Sequence, residues 1–177
     1  MTKAGAERRV NIVQGEFTVS DDPQTVMTTL LGSCVAACIR DPLAGVGGMN
    51  HFLLPGGEVG SQKESERLGV HLMELLLNGL MREGAQRDRL EAKVFGGARM
   101  MSGLSDIGAK NAEFARRFLA YEGIKVVGGD TGGRQGRRIQ FWPVAGRALQ
   151  SYISRVVETA PPRAVAPRPS AGDVDLF

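Results

Sequence analysis

Cys34 and His51 lie in the stretch TTLLGSCVAACIRDPLAGVGGMNHFLLP, residues 28 to 55, and pair a potential thiol nucleophile with a potential general base. A free thiol, with a reference pKa of about 8.5, is only a few per cent thiolate at neutral pH, so a nucleophilic cysteine needs such a partner. An imidazolium neighbour stabilises the thiolate by about 1.4 kcal/mol for each pKa unit lowered. Antiparallel pairing is what would bring the two together. Val35 to Ile39 is a run of small and branched apolar residues, Asp41-Pro42 signals a turn, and Met49 to Leu54 is a second apolar run. In a hairpin centred near residues 42 to 44, Cys34 falls opposite a position close to His51. A slip of one residue would put the two side chains on opposite faces.

Two plainer readings stand beside this one. Cysteine is among the most buried residue types and commonly packs as a small hydrophobe, which is the simplest role for Cys38. Cys34, Cys38 and His51 also have the C-x3-C-x12-H spacing of a zinc finger. Against the metal reading, His71 follows too late and within a helical pattern. Four residues of strand also separate the cysteines by about 13 Å, too far for one ion or a disulfide.

Several separate motifs carry a family resemblance. LGSCVAAC, then DP, then GGMNHFLLP, with VFGGARM at 94–100, IGAKN at 107–111 and VVGGDTGGRQGRRIQFWP at 126–143, resemble the chemoreceptor glutamine deamidases, the CheD family of bacterial chemotaxis. The likeness runs in order over roughly residues 10 to 155.

The resemblance implies a cysteine, a histidine and a threonine that hydrolyse the side-chain amide of selected receptor glutamines. By motif these are Cys34, His51 and Thr28, the last six residues before the nucleophile with Thr25 and Thr29 as near neighbours. Without the resemblance Thr28 reads as a β-branched strand residue. In the implied chemistry Cys34 attacks the carboxamide carbon and ammonia leaves with a proton from His51. Water activated by His51 then resolves the thioester, while Thr28 orients the imidazole through its hydroxyl or its carbonyl. Backbone N–H groups around Gly32, Ser33 and Cys34 are oxyanion candidates, with Ser33 equally readable as a turn residue.

The resemblance further implies a layered α/β/β/α sandwich with mixed sheets, related to cysteine-dependent toxin deamidases. Receptor methyl-ester hydrolysis is expected as a side activity, because the same thioester would form from either substrate, and no cofactor is needed. A CheC-type phosphatase is implied as a partner, with regulatory binding of that phosphatase as the alternative function.

Composition fits a single enzyme domain. The chain has 177 residues, 42% hydrophobic, enough for one sizeable core. No run of about 18 apolar residues occurs and MTKAGAERR lacks a signal-peptide core, so the expected place is the cytoplasm, with reduced thiols and no membrane insertion. A formal charge of +3, few aromatics and no recognition motif exclude a nucleic-acid binder. Arg134, Arg137 and Arg138 form a local cluster that reads either as a solvated turn and strand end or as a contact for acidic stretches of a receptor.

The elements expected to hold the site alternate strand and helix. Val10–Val13 and Glu16–Val19 are short opening strands before the hairpin. Residues 63 to 83 place Leu68, Leu72, Leu75, Leu76 and Leu80 at helical spacing, with Gly69 and Gly79 allowing close packing against a sheet and His71 an ordinary surface histidine. Ala92–Phe95 is a strand, Ile107–Glu122 a helix stopped by Gly123, and Ile124–Val127 and Arg138–Trp142 are strands. Ala145–Val157 closes the domain as a helix or mixed element. The pattern is α+β.

GGARM and GGDTGGRQG match neither a phosphate loop nor a dinucleotide fingerprint, and Asp130 is expected to bond within its own loop. The domain is expected over residues 1–158. The Pro/Ala/Arg-rich segment 159–177 is expected to form a mobile tail, whose last residues Val174 to Phe177 could be a docking peptide.

Overall fold

Nine strands and two helices build an α+β sandwich of mixed sheets in a computed structural model that describes residues 5–55, 62–101 and 106–154. The tail expected at 159–177 lies outside the described residues. In chain order the elements are β1 (Arg8–Asn11), β2 (Phe17–Ser20), β3 (Thr25–Leu31), β4 (Val35–Asp41), β5 (Val46–Asn50), α1 (Gln62–Arg82), β6 (Glu91–Gly96), α2 (Ile107–Tyr121), β7 (Lys125–Thr131), β8 (Arg137–Phe141) and β9 (Ala148–Tyr152). The first sheet has the order β1-β3-β8-β9 and the second β2-β5-β4-β6-β7. Each is mixed, because β1 runs parallel to β3 and β6 parallel to β7 while the other neighbours are antiparallel.

Strand β4 shows why the sequence makes two cores. Its side chains alternate faces, and both faces are buried, so the strand is apolar throughout rather than alternating. Val35, Ala37 and Ile39 join Met73, Leu76, Leu77 and Leu80 of α1 and Ala112, Phe114, Ala115 and Phe118 of α2 in the core between helices and second sheet. Ala36 and Cys38 point the other way, into a core between the sheets with Ile12, Met27, Leu31, Met49, Ile139 and Phe141. Both helices supply only the first of these cores, so the described layers run α/β/β. The outer face of the first sheet has no described helix to make the fourth layer of the α/β/β/α expectation.

The helices close on each other at Gly69. A Cβ there would sit 2.6 Å from the ring of Phe114 and 2.8 Å from Leu54, so α1 approaches α2 more closely than any larger residue permits. Gly79 meets Phe17 and Val19 of β2, the sheet contact expected from the sequence. His71 is exposed on α1.

The hairpin turn is built on one carboxylate. Asp41 is fully buried; its Oδ1 accepts from the Leu43 and Ala44 N–H groups at 2.9 and 3.0 Å, and its Oδ2 accepts from the Gln86 N–H at 2.9 Å. Arg89 adds a fork, Nε at 3.1 Å from Oδ1 and Nη2 at 2.7 Å from Oδ2. Burial by itself would raise this carboxyl, but the guanidinium and the three N–H donors outweigh it and hold Asp41 well below the usual carboxylate range.

The segment from Ala145 differs from its expected form: Ala148–Tyr152 is a strand, β9, antiparallel to β8. Side-chain partners explain the preference. Asp130 of β7 accepts from Gln150 Nε2 and Tyr152 OH, 2.7 Å each, which aligns β9 as an edge strand. Asp130 therefore bonds to β9 instead of its own loop. The arginine cluster also divides. Arg137 is 1% exposed, its Nη1 3.2 Å from Asp130 Oδ2, and its guanidinium donates to the Asp130 and Gly132 carbonyls, whereas Arg134 and Arg138 are exposed. A buried cation across the sandwich, rather than a solvated turn, joins β7 of one sheet to β8 of the other.

Candidate active site

The register of the β4–β5 hairpin decides whether Cys34 and His51 share a face. Pairing runs from Asp41↔Val46 to Cys38↔Met49 and resumes at the Val35↔Phe52 bridge, closed by Val35 N to Phe52 O at 3.0 Å and Phe52 N to Val35 O at 2.9 Å. Cys34 thus falls opposite residue 53, and His51 two positions back on the same face as diagonal neighbour of Cys34. That face is the inter-sheet one, shared with Ala36, Cys38 and Met49. Between the two stretches of pairing, Asn50 Oδ1 takes the place of a strand carbonyl and accepts from the Ala37 N–H at 3.0 Å. Cys34 is half-buried and Cys38 fully buried, so of the two thiols only that of Cys34 is open to solvent.

His51 is held by Thr29. The Thr29 hydroxyl donates to the Ile12 carbonyl at 2.6 Å, and its oxygen lies 2.8 Å from His51 Nδ1. A hydroxyl has one proton, and here it is committed to Ile12, so the contact with His51 is made by an Nδ1–H donating to the threonine oxygen. Nε2 then carries the free lone pair. It is buried and has no hydrogen-bond partner among the described residues, the state required of a general base before substrate arrives.

Thr28, the threonine expected from motif spacing, lies elsewhere. Met27, Thr29 and Leu31 of β3 face the inter-sheet layer, so Thr28 must face outward, where it lines a 190 Å³ surface depression with Arg9, Asn11, Arg138 and Gln140. Its carbonyl is taken by the Ile12 N–H at 2.8 Å. Neither end of Thr28 meets the imidazole; Thr29 does. The isosteric change Thr29→Val is expected to lower kcat by about 10- to 100-fold, part of what a positioned base supplies, while Thr28→Val stays within about twofold. Steady-state ammonia release from both variants checks this.

The loop carrying the nucleophile is tied to two others. Gly32 O accepts from Ala98 N at 3.0 Å and Cys34 O from Gly97 N at 2.8 Å, so residues 32 to 34 rest on the GGARM loop. Gly96 makes this possible. Its φ is +106° and a Cβ would stand 2.1 Å from the Cys34 carbonyl, so no other residue fits. The GGARM loop is joined in turn to the 131–133 segment by Gly132 N to Gly96 O at 2.9 Å and Arg99 N to Gly133 O at 2.8 Å. The glycine motifs are thus a backbone scaffold for the thiol loop. Gly32 and Ser33, the oxyanion candidates, are both partly exposed beside Cys34.

Two further residues reach the site, the first with no sequence signal and the second from a motif whose task the sequence left open. Gln14, on the β1–β2 turn, places Oε1 3.7 Å from Cys34 Sγ. Asn111 of α2, within the IGAKN motif, donates from Nδ2 to the Ser33 carbonyl at 2.9 Å and accepts at Oδ1 from the Leu54 N–H at 3.0 Å.

Electrostatics favour an uncharged resting pair. Burial pushes the Cys34 thiol above its ordinary value of 9.0, opposed in part by its own N–H. Burial likewise pushes His51 below its ordinary 6.5, opposed in part by the Ile12 carbonyl. Both directions favour a neutral thiol and a neutral imidazole over the thiolate–imidazolium pair expected from residue types alone. Cys38 is packed in the inter-sheet core, where burial raises its thiol far above the ordinary range, and no group of three or more His, Cys, Asp or Glu suited to a metal occurs among the described residues. No described helix is long and apolar enough to cross a membrane.

Residues 53–151 match the family described as CheD chemotactic sensory transduction. The chain is similar to proteins named probable chemoreceptor glutamine deamidase CheD: 55% identity to that of Agrobacterium fabrum, over 97% of this chain and 98% of the relative, and 57% to that of Rhizobium leguminosarum bv. trifolii, over all of both. A solved structure, protein NMB0706 of Neisseria meningitidis, overlaps 72% of this chain and 64% of its own at 11% identity and a TM-score of 0.46. By the family match and by its full-length relatives, the chain belongs to the CheD family.

Proposed function

We propose that the chain is a protein-glutamine glutaminase that deamidates selected glutamines of methyl-accepting chemotaxis receptors in the cytoplasm. The observation that carries this reading is the Thr29–His51 contact, which fixes the tautomer with Nε2 as base on the face shared with the half-buried Cys34. Full-length relatives named as chemoreceptor glutamine deamidases support it.

In the proposed reaction His51 Nε2 takes the Cys34 proton as Sγ bonds to the carboxamide carbon. The carbonyl π electrons move onto oxygen, and backbone N–H groups of residues 32 to 34 receive the oxyanion. The tetrahedral species collapses with cleavage of the C–N bond. The imidazolium returns its proton to the leaving nitrogen, ammonia departs and a thioester remains. His51 then deprotonates a water that attacks the thioester, and the proton passes to the departing sulfur as glutamate is released. The receptor gains one negative charge and a carboxylate able to accept a methyl group. Thr29 keeps Nδ1–H engaged throughout and stabilises the imidazolium through its oxygen. A methyl ester presents the same acyl carbon, so receptor methyl-ester hydrolysis is proposed as a side activity. On the family resemblance, a CheC-type phosphatase is proposed as a second partner.

The test is mass spectrometry of a purified receptor cytoplasmic fragment before and after incubation. A gain of about 1 Da per site, mapped to glutamines and absent with Cys34→Ala, is the expected result; an unchanged mass with folded protein on its own receptor sinks the proposal.

The pH profile follows from the two shifts. kcat/KM is expected to rise with pH as His51 loses its proton, with an apparent pKa below the ordinary 6.5, and then to stay level up to or beyond pH 9.0, because the thiol is held protonated until then. A bell centred below pH 6 would contradict the neutral-pair assignment.

A further inference from the structure

Asn111 is a polar residue on a helix face that otherwise supplies Ala112, Phe114, Ala115 and Phe118 to the core, and it is fully buried. A buried amide at such a position costs desolvation unless both its groups are engaged. Here both are, and each partner belongs to a different half of the site. Nδ2 holds the carbonyl of Ser33, the residue before Cys34, while Oδ1 holds the N–H of Leu54, three residues after His51.

We infer that Asn111 is a positioning residue of the reaction: by anchoring the Ser33 carbonyl on α2 it turns the Cys34 N–H toward the oxyanion that forms on the substrate. The geometry is that of a trans peptide, in which C=O and N–H point in opposite directions. With the Ser33 oxygen drawn into the helix, the Cys34 amide proton faces away from α2, on the side of its own thiol. The flanking Gly32 and Cys34 carbonyls are pinned by Ala98 and Gly97, so the peptide between Ser33 and Cys34 is the link that the GGARM loop does not hold. Asn111 supplies that restraint. The second bond, to Leu54, keeps the segment after β5 that bears His51 at a fixed distance from the same anchor. This inference rests on Cys34 being the nucleophile.

Two variants of the full chain test it, read by ammonia release from a purified receptor cytoplasmic fragment. Asn111→Asp keeps an acceptor for Leu54 but loses the donor to Ser33, and Asn111→Leu is uncharged, has the same branched shape with somewhat greater bulk, and loses both bonds. For whichever variants fold, kcat is expected to fall about 100-fold, the scale of losing one oxyanion donor, with KM within threefold. Alkylation of Cys34 by iodoacetamide in the Leu variant is expected to stay within threefold of wild type, since displacement at a methylene carbon forms no oxyanion. A kcat within threefold of wild type per folded molecule overturns the inference. An equal loss of alkylation overturns it too, because Asn111 would then act on the thiol itself or on the fold. Ammonia release retained by Cys34→Ala would instead remove the nucleophile assignment on which the inference stands.

Discussion

Cys34→Ala is expected to lower ammonia release from receptor glutamines by roughly four orders of magnitude or more, the scale of losing a nucleophile from a site that acts as a unit. The fold should not change with it. Cys34 is half-buried, its carbonyl rather than its sulfur makes the bond to Gly97, and among the described residues its side-chain hydrogen-bond partner is Gln14 at 3.7 Å. Unfolding temperature should therefore shift by no more than about 2 °C. Cys38→Ala is the matched control, because Cys38 is 1% exposed in the inter-sheet core. Its loss leaves a small cavity and costs about 1 kcal/mol of stability, with deamidation retained. Ammonia release and thermal unfolding of the two variants separate chemistry from packing. Equal activity loss in both would mean that the core rather than the thiol carries the effect.

The second large effect concerns Asp41, far along the same hairpin from the thiol. Asp41→Ala is expected to destabilise the protein by about 3–5 kcal/mol, because it leaves the N–H groups of Leu43, Ala44 and Gln86 without their acceptor and the Arg89 guanidinium without its carboxylate. Chemical denaturation at neutral pH measures this. The pH dependence supplies its sign. The folded carboxyl is depressed, so its contribution is complete above the unfolded value of about 3.9 and drains away as pH falls below it. Wild type should lose stability through that acid range, and the alanine variant should show a flatter curve there. Because Asp41 fixes the turn, it also fixes the hairpin register. In the variant, deamidation per folded molecule should fall if the strands slip, since a slip of one residue would take His51 off the face shared with Cys34.

The sequence made some of this legible and hid the rest for definite reasons. The hairpin could be read because Asp41-Pro42 marks its turn and because two apolar runs flank it; α1 and α2 could be read because their apolar periodicity is long. The choice between Thr28 and Thr29 could not. Two adjacent threonines on a strand differ only in the face they occupy, and the face is settled by how β3 lies on β8 and across from β4, contacts distant in sequence. Arg137 looked like its exposed neighbours Arg134 and Arg138, since burial of a cation is paid for by Asp130 and Gly132, which no local pattern announces. Ala148–Tyr152 has few strand-forming residues, and edge pairing with β8 together with the Asp130 contacts overrides its propensity. Asn111 was visible inside IGAKN as a motif residue, but its bonds to Ser33 and Leu54 join segments distant in sequence that no local pattern relates.

The hydrogen bonds linking residues 32–34 to 96–99, and those in turn to 131–133, have a consequence for the life of the chain before it is folded. The thiol loop has no rigid form until strands made some 60 and 100 residues later have docked, and such distant contacts are the slow ones in folding. A chain that ends after α2 holds Cys34 and His51 but lacks the 131–133 segment that braces the GGARM loop, and is expected to release no ammonia from receptor glutamines. Activity is therefore expected to depend on the last third of the polypeptide, although both residues of the proposed Cys34–His51 pair lie in the first third.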